Sequence, residues 1–307
     1  MTIDAATTAL IPDRRAADDD VYLSPRQLAW RRARRHPGLL FGLAVVVLVT
    51  LVAVLAGVIA PHDPYEQDLS QQFAPTVWQE GGSWINIFGT DSLGRDVFSR
   101  LLYGARISLI IAFFAASVAA VIGTAIGVIG GYFGGRIDAV IMYLISCKLS
   151  LPGLIVSLSL VSVFGSSPVV LVLVIAFLFW DRYAIVTRTV TMQLREREFV
   201  TAARALGSSH SRIIISEILP NLLNHIIVVL TLEMAVAILV EAALSFLGLG
   251  IQPPTPSWGN MVSEGRADMF FQPHLVAIPG LAIFLLVISI NLLGDGLRDV
   301  TAPDGRN

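Results

Sequence analysis

The sequence predicts an all-α membrane protein with six transmembrane helices, and three observations support this prediction. Of its 307 residues, 55% are hydrophobic and only 14% are charged, whereas soluble domains carry about 25% charged residues. The mean hydropathy is +0.73. The apolar runs approach or exceed the roughly 20 residues that a helix needs to cross the hydrocarbon core of a bilayer.

Six apolar runs are candidate membrane spans. They are residues 39–60, 107–130, 137–164, 169–184, 221–247 and 275–293. The stretch Gly165-Ser-Ser-Pro168 between the third and fourth runs is typical of a tight turn. Pro152 lies inside the third run, where we expect a kink or a break. Such an irregularity makes Pro152 a candidate gating residue.

The distribution of arginines predicts that both termini lie in the cytoplasm. If six spans alternate in direction, all arginines but four lie on the side of the N-terminus. The four exceptions are Arg95, Arg100, Arg106 and Arg266. This asymmetry follows the positive-inside rule. It also places the charged segment 192–216, which separates the fourth and fifth spans, on the cytoplasmic side.

Charge and composition divide the chain into five parts. They are a disordered cytoplasmic tail (1–24), a basic interfacial helix (25–36), the first span with a long extracytoplasmic loop (37–106), a five-helix core (107–298) and a cytoplasmic tail (299–307). Ser24-Pro25 is typical of a helix start. The basic helix could lie on the inner leaflet, or its arginines could serve only to orient the first span; both interpretations remain open.

Small residues recur every four positions in the second span. They are Ala115, Ala119, Gly123, Gly127 and Gly131. This spacing places them on one helical face, and small residues let transmembrane helices approach closely. We therefore predict that this face packs against another helix; a pore lining is the alternative.

The segment 192–216 contains the most informative motif. Glu198-Phe-Val-Thr-Ala-Ala-Arg-Ala-Leu-Gly207 is followed after a gap by Ile218-Leu-Pro-Asn221. This pattern resembles the coupling loop of permease subunits of ATP-binding cassette (ABC) importers, in which Glu-Ala-Ala, three residues, Gly and nine residues precede Ile-x-Leu-Pro. Thr201 and Glu217 stand where that motif has Glu and Ile. The resemblance implies the type I importer fold, with a cytoplasmic coupling helix between spans four and five.

The resemblance assigns ATPase coupling to eight residues. They are Thr201, Ala202, Ala203, Arg204, Gly207, Arg212, Leu219 and Pro220. In this interpretation, small alanines allow the helix to sit closely in a groove of the ATPase, and the flanking charges fix its register.

Four further patches are similar to the C-type permease of dipeptide and oligopeptide importers. They are residues 88–106, 241–250, 254–260 and 291–298. That family also includes nickel, glutathione and some oligosaccharide importers. The resemblance implies a bacterial inner-membrane, multi-pass subunit that takes part in peptide import.

The resemblance also implies the partners of the chain. These are a second homologous permease, two cytosolic ABC ATPase domains, an extracytoplasmic substrate-binding protein and a peptide substrate. The sequence has no phosphate-binding Gly-x-x-x-x-Gly-Lys-Ser/Thr loop. We therefore expect a non-catalytic subunit without a cofactor, metal or nucleic acid of its own, and expect ATP and Mg to be bound by the partner ATPases.

Ionisable residues within the apolar runs suggest a second hypothesis. Lys148, Glu233 and Glu241 lie inside predicted spans, and Asp181 lies near the end of one. Because charges in lipid are unfavourable, these side chains should face protein or water. They could line the cargo pathway, form structural pairs such as Lys148–Glu233, or act as the proton relay of an ion-coupled secondary transporter. A scaffold without transport activity would leave the coupling motif unexplained.

Two predicted external loops are candidates for docking a binding protein. The first spans residues 62–106, and the second spans residues 252–272. In the second loop, Pro254, Trp258 and Asn260 are the candidate docking residues, mostly because the segment resembles the permease family. The alternative is that both loops pack on the membrane surface through interfacial aromatic residues.

Overall fold

The computed structural model describes residues 25–301. These residues form helices and loops, and the only β-type pairing among them is an isolated bridge between Thr90 and Asp96. The described helices are α1 (Pro25–Arg35), α2 (Pro37–Val54), α3 (Ala56–Ile59), α4 (Val97–Phe133), α5 (Gly135–Leu149), α6 (Gly153–Phe164), α7 (Pro168–Arg195), α8 (Glu198–Ala205), α9 (His210–Ile213), α10 (Leu219–Phe246), α11 (Trp258–Gly265) and α12 (His274–Thr301). The tails predicted for residues 1–24 and 302–307 lie outside the described residues.

Five helical segments of the described chain are long and apolar enough to cross a membrane. They are Pro37–Val54, Val97–Phe133, Pro168–Arg195, His210–Phe246 and His274–Thr301. A sixth span is obtained if α5 and α6, which meet at an angle of 85°, are counted together. The described chain is therefore a multi-pass helical protein.

The third predicted span is not one continuous helix. The chain leaves α5 at Ser150 and enters α6 after Pro152, whose extended backbone (φ −63°, ψ 113°) precedes the first residue of α6. A proline cannot donate a backbone N–H, and its ring clashes with the preceding helical turn. The break expected at Pro152 is confirmed, since residues 137–164 lie in two helices that meet at 85°.

Other spans are longer than predicted, and α4 and α7 are the clearest cases. Asp96 accepts a hydrogen bond from the Ser99 backbone N–H (2.7 Å) and begins α4 at Val97, so the preceding loop ends near residue 96 and not at 106. The fourth span was expected to end near residue 184, but α7 continues to Arg195. Arg182 therefore lies near the middle of α7 instead of close to its end. A helix continues through polar residues when other protein groups pair with their side chains. The composition of a segment does not show this pairing.

The stripe of small residues in α4 lies against α7. Ala115, Ala119, Gly123, Gly127 and Gly131 are all buried. A Cβ atom at Gly123 would clash with the backbone oxygen of Trp180, and one at Gly127 would clash with that of Ala184. Because contacts advance in the same direction along both helices, α4 and α7 run parallel. Their close approach forms the centre of the fold.

The N- and C-terminal helices of the described chain pack together. The helix α12 contacts α2 and α10. A Cβ at Gly42 of α2 would meet the backbone of Ser289 and Leu293, which shows how closely α2 and α12 approach. At the end that carries the basic α1, His36 Nε2 lies 3.2 Å from Asp299 Oδ2.

The long loop between α3 and α4 is folded. Backbone hydrogen bonds join its two halves, from Val77 N–H to the Ile87 carbonyl (3.1 Å) and from Phe73 N–H to the Asp91 carbonyl (3.2 Å). Gly94 has φ +73°, and a Cβ there would clash with the Asp68 backbone. This loop therefore forms a compact layer over one end of the helix bundle.

Candidate functional site: the coupling segment and the membrane charge cluster

The coupling segment, defined as residues 197–218, lies beside the Phe133 end of α4. Arg195, at the end of α7, donates hydrogen bonds to the carbonyls of Gly131 and Tyr132 (3.3 Å each). The short helix α8 follows and ends at Ala205, with Leu206 as its C-cap. Gly207 then reverses the chain with φ +78°, a conformation that glycine adopts without steric penalty. Ser209 caps α9 by accepting a hydrogen bond from the Arg212 N–H (3.4 Å).

Buried side chains anchor the coupling segment to α4. Val200, Ile213, Ile218 and Leu222 are all 0% exposed and form a small apolar cluster with Val128 and Tyr132. The Tyr132 hydroxyl forms a hydrogen bond with His210 Nδ1 (2.9 Å). The guanidinium of Arg204 lies 5.9 Å from the centre of the Tyr132 ring. Tyr132 thus joins the coupling segment to the central α4–α7 pair.

The opposite face of α8 is exposed and partly apolar. Phe199 is 41% exposed and Leu206 is 87% exposed, with the exposed Ala202 between them. Of the eight predicted coupling residues, six are exposed and two are partly buried. The exposed six are Thr201, Ala202, Arg204, Gly207, Arg212 and Pro220, and the partly buried two are Ala203 and Leu219. Ala203 packs against the apolar cluster instead of facing outward.

A π-helical turn connects the coupling segment to α10. It spans Ile214–Ile218 and makes residues 210–246 a nearly continuous helical unit. Pro220, two residues after the turn, has no N–H to donate, which favours irregular hydrogen bonding here. The Asn221 side-chain amide donates to the Glu217 carbonyl (2.6 Å). A displacement of the coupling segment would therefore be transmitted to α10.

A second group of functional candidates lies inside the helix bundle. We define the membrane charge cluster as Lys148, Asp181, Arg182 and Glu233. Lys148 Nζ contacts Asp181 Oδ1 (2.5 Å) and also donates to the Leu178 carbonyl. Arg182 Nη1 lies 2.9 Å from each carboxylate oxygen of Glu233. The direct Lys148–Glu233 pair left open by the sequence is not formed, because each residue has another partner.

Glu241 lies apart from this cluster. It is 1% exposed, and its Oε1 accepts hydrogen bonds from the hydroxyls of Ser245 (2.9 Å) and Ser257 (3.0 Å). These bonds tie α10 to the loop that precedes α11. Among the described residues, no hydrogen bond connects Lys148, Glu233 and Glu241 into a chain.

A third polar group, which the sequence analysis missed, lies beneath the folded loop. Arg95 and Arg100 are 2% and 1% exposed, and both donate to Glu264 Oε2, at 2.9 Å and 2.6 Å. Arg95 Nε also lies 2.7 Å from Asp91 Oδ2. The buried arginines join the loop to α11.

Asp68 lies on the surface of the same loop. It accepts hydrogen bonds from the Ser70 hydroxyl and the Gln71 side-chain amide, and these bonds lower the pKa of Asp68.

The predicted docking residues do not share one environment. Trp258 is 3% exposed and donates its indole N–H to the Leu101 carbonyl (2.9 Å), and Asn260 is 5% exposed. Pro254 is exposed. Trp258 holds α11 against α4, and Asn260 Nδ2 donates to the Thr255 carbonyl (3.3 Å) in the loop that precedes α11. Of the three candidate docking residues, only Pro254 has an exposed side chain in the described chain.

Two family profiles match this chain. Residues 123–306 match the family described as the binding-protein-dependent transport system inner membrane component, and residues 24–75 match the N-terminal transmembrane domain of oligopeptide transport permease C. The chain belongs to this family of ABC importer permeases. The coupling segment, the charge cluster and the spans from α7 onward all fall within the first match.

Full-length relatives agree with this assignment. The permease is 42% identical over 293 residues to the dipeptide transport system permease protein DppC of Escherichia coli K12, covering 95% of this chain and 98% of the relative. It is 39% identical over 287 residues to the di/tripeptide permease DppC of Pseudomonas aeruginosa, covering 94% and 95%. It is also 40% identical over 284 residues to the glutathione permease GsiD of Escherichia coli O6:K15:H31, covering 92% of each.

Proposed function

We propose that this permease is the membrane subunit of an ATP-driven, binding-protein-dependent importer of dipeptides or short oligopeptides. It would form half of the translocation pathway with a second, homologous permease. Two cytosolic ATPase domains would bind ATP and Mg, and an extracytoplasmic binding protein would deliver cargo. Both termini and the coupling segment would then lie in the cytoplasm of a bacterial cell.

The exposed face of α8 is the observation that carries this proposal. Phe199, Ala202 and Leu206 present an apolar surface on a short helix that is fixed from behind by Val200 and Tyr132. Apolar side chains on a water-facing segment favour a protein partner. The small Ala202 between two larger residues would allow the helix to sit closely in a groove of the ATPase.

The anchoring of the coupling segment suggests how movement reaches the membrane. Tyr132 joins it to α4, and the π-helical turn joins it to α10. Closure of the ATPase domains on ATP would push α8 as a rigid unit, and α4 and α10 would move with it. Hydrolysis would return the helices to the inward-facing arrangement.

The relatives favour a peptide cargo. Two of them are named for the transport of dipeptides or of di- and tripeptides, and a third is named for glutathione, which is itself a short peptide. A cargo that carries an amide backbone and charged ends is common to all three. We therefore assign short peptides as the cargo class.

The alternative, an ion-coupled secondary transporter, is less well supported. A proton relay requires titratable groups connected by hydrogen bonds or water, yet Lys148 and Glu233 each pair with a different partner, and Glu241 is held separately by Ser245 and Ser257. The coupling segment would also have no role in such a carrier.

The test changes only the exposed face of α8. Leu206→Asp should abolish binding-protein-dependent uptake and weaken copurification of the ATPases, while leaving the melting temperature of the permease unchanged, because Leu206 is 87% exposed. Thr301→Asp is the control, since Thr301 is exposed at the end of α12, outside the coupling segment and both candidate docking loops. It should leave uptake and copurification unchanged. Uptake that persists in proteoliposomes without any ATPase would instead establish the secondary-transporter alternative.

A further inference from the structure

The Arg182 side chain is unusual because it is charged, central in its helix and exposed. Its side chain keeps 49% of its surface exposed, whereas that of Glu233 keeps 6%. Arg182 lies close to the middle of α7 (Pro168–Arg195), and Glu233 lies close to the middle of α10 (Leu219–Phe246). At about 1.5 Å per residue, Arg182 is roughly 20 Å from either end of its helix.

A guanidinium at this depth does not face lipid. Charged side chains within membrane helices face the interior of the assembly or a water-filled cavity, because exposure to hydrocarbon is strongly unfavourable. The carboxylate of Glu233 satisfies only one edge of Arg182, since both of its oxygens accept from Nη1. Among the described residues, Nε and Nη2 of Arg182 donate to no acceptor.

This unused edge has a defined chemical preference. The Nε and Nη2 donors of a guanidinium match the two oxygens of a carboxylate, and such paired hydrogen bonds give strong and directional recognition. The Phe179 ring lies 5.1 Å from the Arg182 Cζ and supports the guanidinium from one side. Arg182 is therefore held in place with one donor edge directed away from its protein partner.

The broken span lies beside the same position. Lys148, near the end of α5, binds Asp181 and the Leu178 carbonyl, and Gly153 at the start of α6 lies next to the Leu178 side chain. Discontinuous membrane helices mark substrate sites in many transporters because they bring polar backbone to the middle of the membrane. Lys148 and Asp181 neutralise each other, and their side chains are only 17% and 1% exposed. Arg182 is therefore the exposed charge of the membrane charge cluster.

We propose that Arg182 binds the free C-terminal carboxylate of a peptide as it passes through the membrane. This inference rests on the proposed function and adds the chemical group of the cargo that the permease itself recognises. Glu233 stays on Nη1, and its negative charge weakens the binding of a second carboxylate at Nε and Nη2, which keeps the bound state short-lived. The alternative is that a carboxylate of the second permease subunit binds Nε and Nη2 of Arg182. The experiment below distinguishes this alternative from binding of the peptide.

The experiment compares a dipeptide with its C-terminal amide in proteoliposomes that contain the complete transporter. Each peptide is supplied well above its own measured Kd for the binding protein, so that the binding protein is saturated in both cases. The wild-type permease should transport the free acid about tenfold faster than the amide, as expected from losing a hydrogen bond to a charged group. In Arg182→Gln the two rates should converge, and Arg182→Lys should restore part of the preference.

Two further variants show whether the effect belongs to Arg182. Glu233→Gln removes the neighbouring negative charge and should keep or increase the preference for the free acid. Arg188→Gln removes an arginine from the same helix that is already paired with Asp138 (Nη2 to Oδ2, 2.6 Å) and should slow both peptides equally.

The outcomes separate this inference from the proposed function. An unchanged acid-to-amide ratio in Arg182→Gln, or a wild-type permease that transports both peptides equally, would overturn the inference but leave peptide import intact. Loss of the second permease from the purified Arg182→Gln complex would assign this edge to the subunit interface and also overturn it. Absence of any peptide uptake by the wild-type transporter would instead reject the proposed function.

Discussion

Arg100 and Glu264 are far apart in the sequence but in direct contact, with 2.6 Å between Nη2 and Oε2. The same carboxylate oxygen accepts from Arg95 Nη2 at 2.9 Å. Both arginines are almost fully buried, so the folded loop, the first turn of α4 and α11 share one network of charges. This network fixes the layer that covers one end of the bundle.

The first prediction concerns this network. Glu264→Ala should lower the stability of the permease by roughly 3 kcal/mol, because removing one partner leaves buried charges uncompensated. The melting temperature in detergent measures this effect. Glu80→Ala, an exposed carboxylate on the same loop, is the control and should leave the melting temperature unchanged. Equal melting temperatures for the two variants would show that the network contributes nothing to stability.

The second prediction concerns the contact between α4 and α7. Gly127→Ala should reduce the yield of folded, monodisperse protein, because the new Cβ would clash with the Ala184 backbone. Gly280→Ala is the matched control, since a Cβ there meets nothing within 4 Å. It should be neutral or stabilise α12 by about 0.5–1 kcal/mol. If Gly127→Ala and Gly280→Ala gave the same size-exclusion profile, the close packing of α4 against α7 would be contradicted.

The third prediction concerns the chain reversal after α8. Gly207→Ala should destabilise the coupling segment by about 1–2 kcal/mol, because an L-residue is strained at positive φ. The surroundings leave space for the side chain, so conformation is the only penalty. Gly207→Asn should be better tolerated, because asparagine adopts this region more readily. ATP-dependent uptake measures the effect. Equal uptake by Gly207→Ala and Gly207→Asn would show that the positive φ of residue 207 imposes no penalty.

The fourth prediction concerns the anchor between α4 and the coupling segment. Tyr132→Phe keeps the ring in the apolar cluster but removes the hydrogen bond to His210, which contributes about 1 kcal/mol. Hydrogen exchange in residues 198–213 should become faster, and uptake should fall. Tyr143→Phe is the control, because Tyr143 is 68% exposed on α5. Unchanged exchange in Tyr132→Phe would show that the apolar cluster alone holds the segment.

Local sequence patterns predicted several features correctly. The apolar runs identified the membrane helices, since hydrophobicity and length are properties of the segments themselves. Pro152 predicted the break between α5 and α6, because proline interrupts a helix wherever it lies in a regular interior. The four-residue spacing of Gly123 and Gly127 indicated the face of α4 that contacts another helix.

Other features depended on residues distant in the chain. From the sequence, an ion pair between Lys148 and Glu233 was one possibility. In the structure, Lys148 contacts Asp181 and Glu233 contacts Arg182. Trp258 and Asn260 were candidate docking residues, but both side chains are buried, that of Trp258 against α4. The network of Arg95, Arg100 and Glu264 gave no local signal, because its members come from segments that only the fold brings together.

The amino-acid sequence by itself determined which segments form helices, where one of them breaks and which short segment carries the family motif. These properties depend on side chains a few residues apart, whose periodicity and backbone preferences act locally. Only the tertiary structure decided which charges neutralise one another and which side chains remain exposed. Charge pairing acts over a few ångströms in space, and the packing of α4 against α7 and α10 sets those distances.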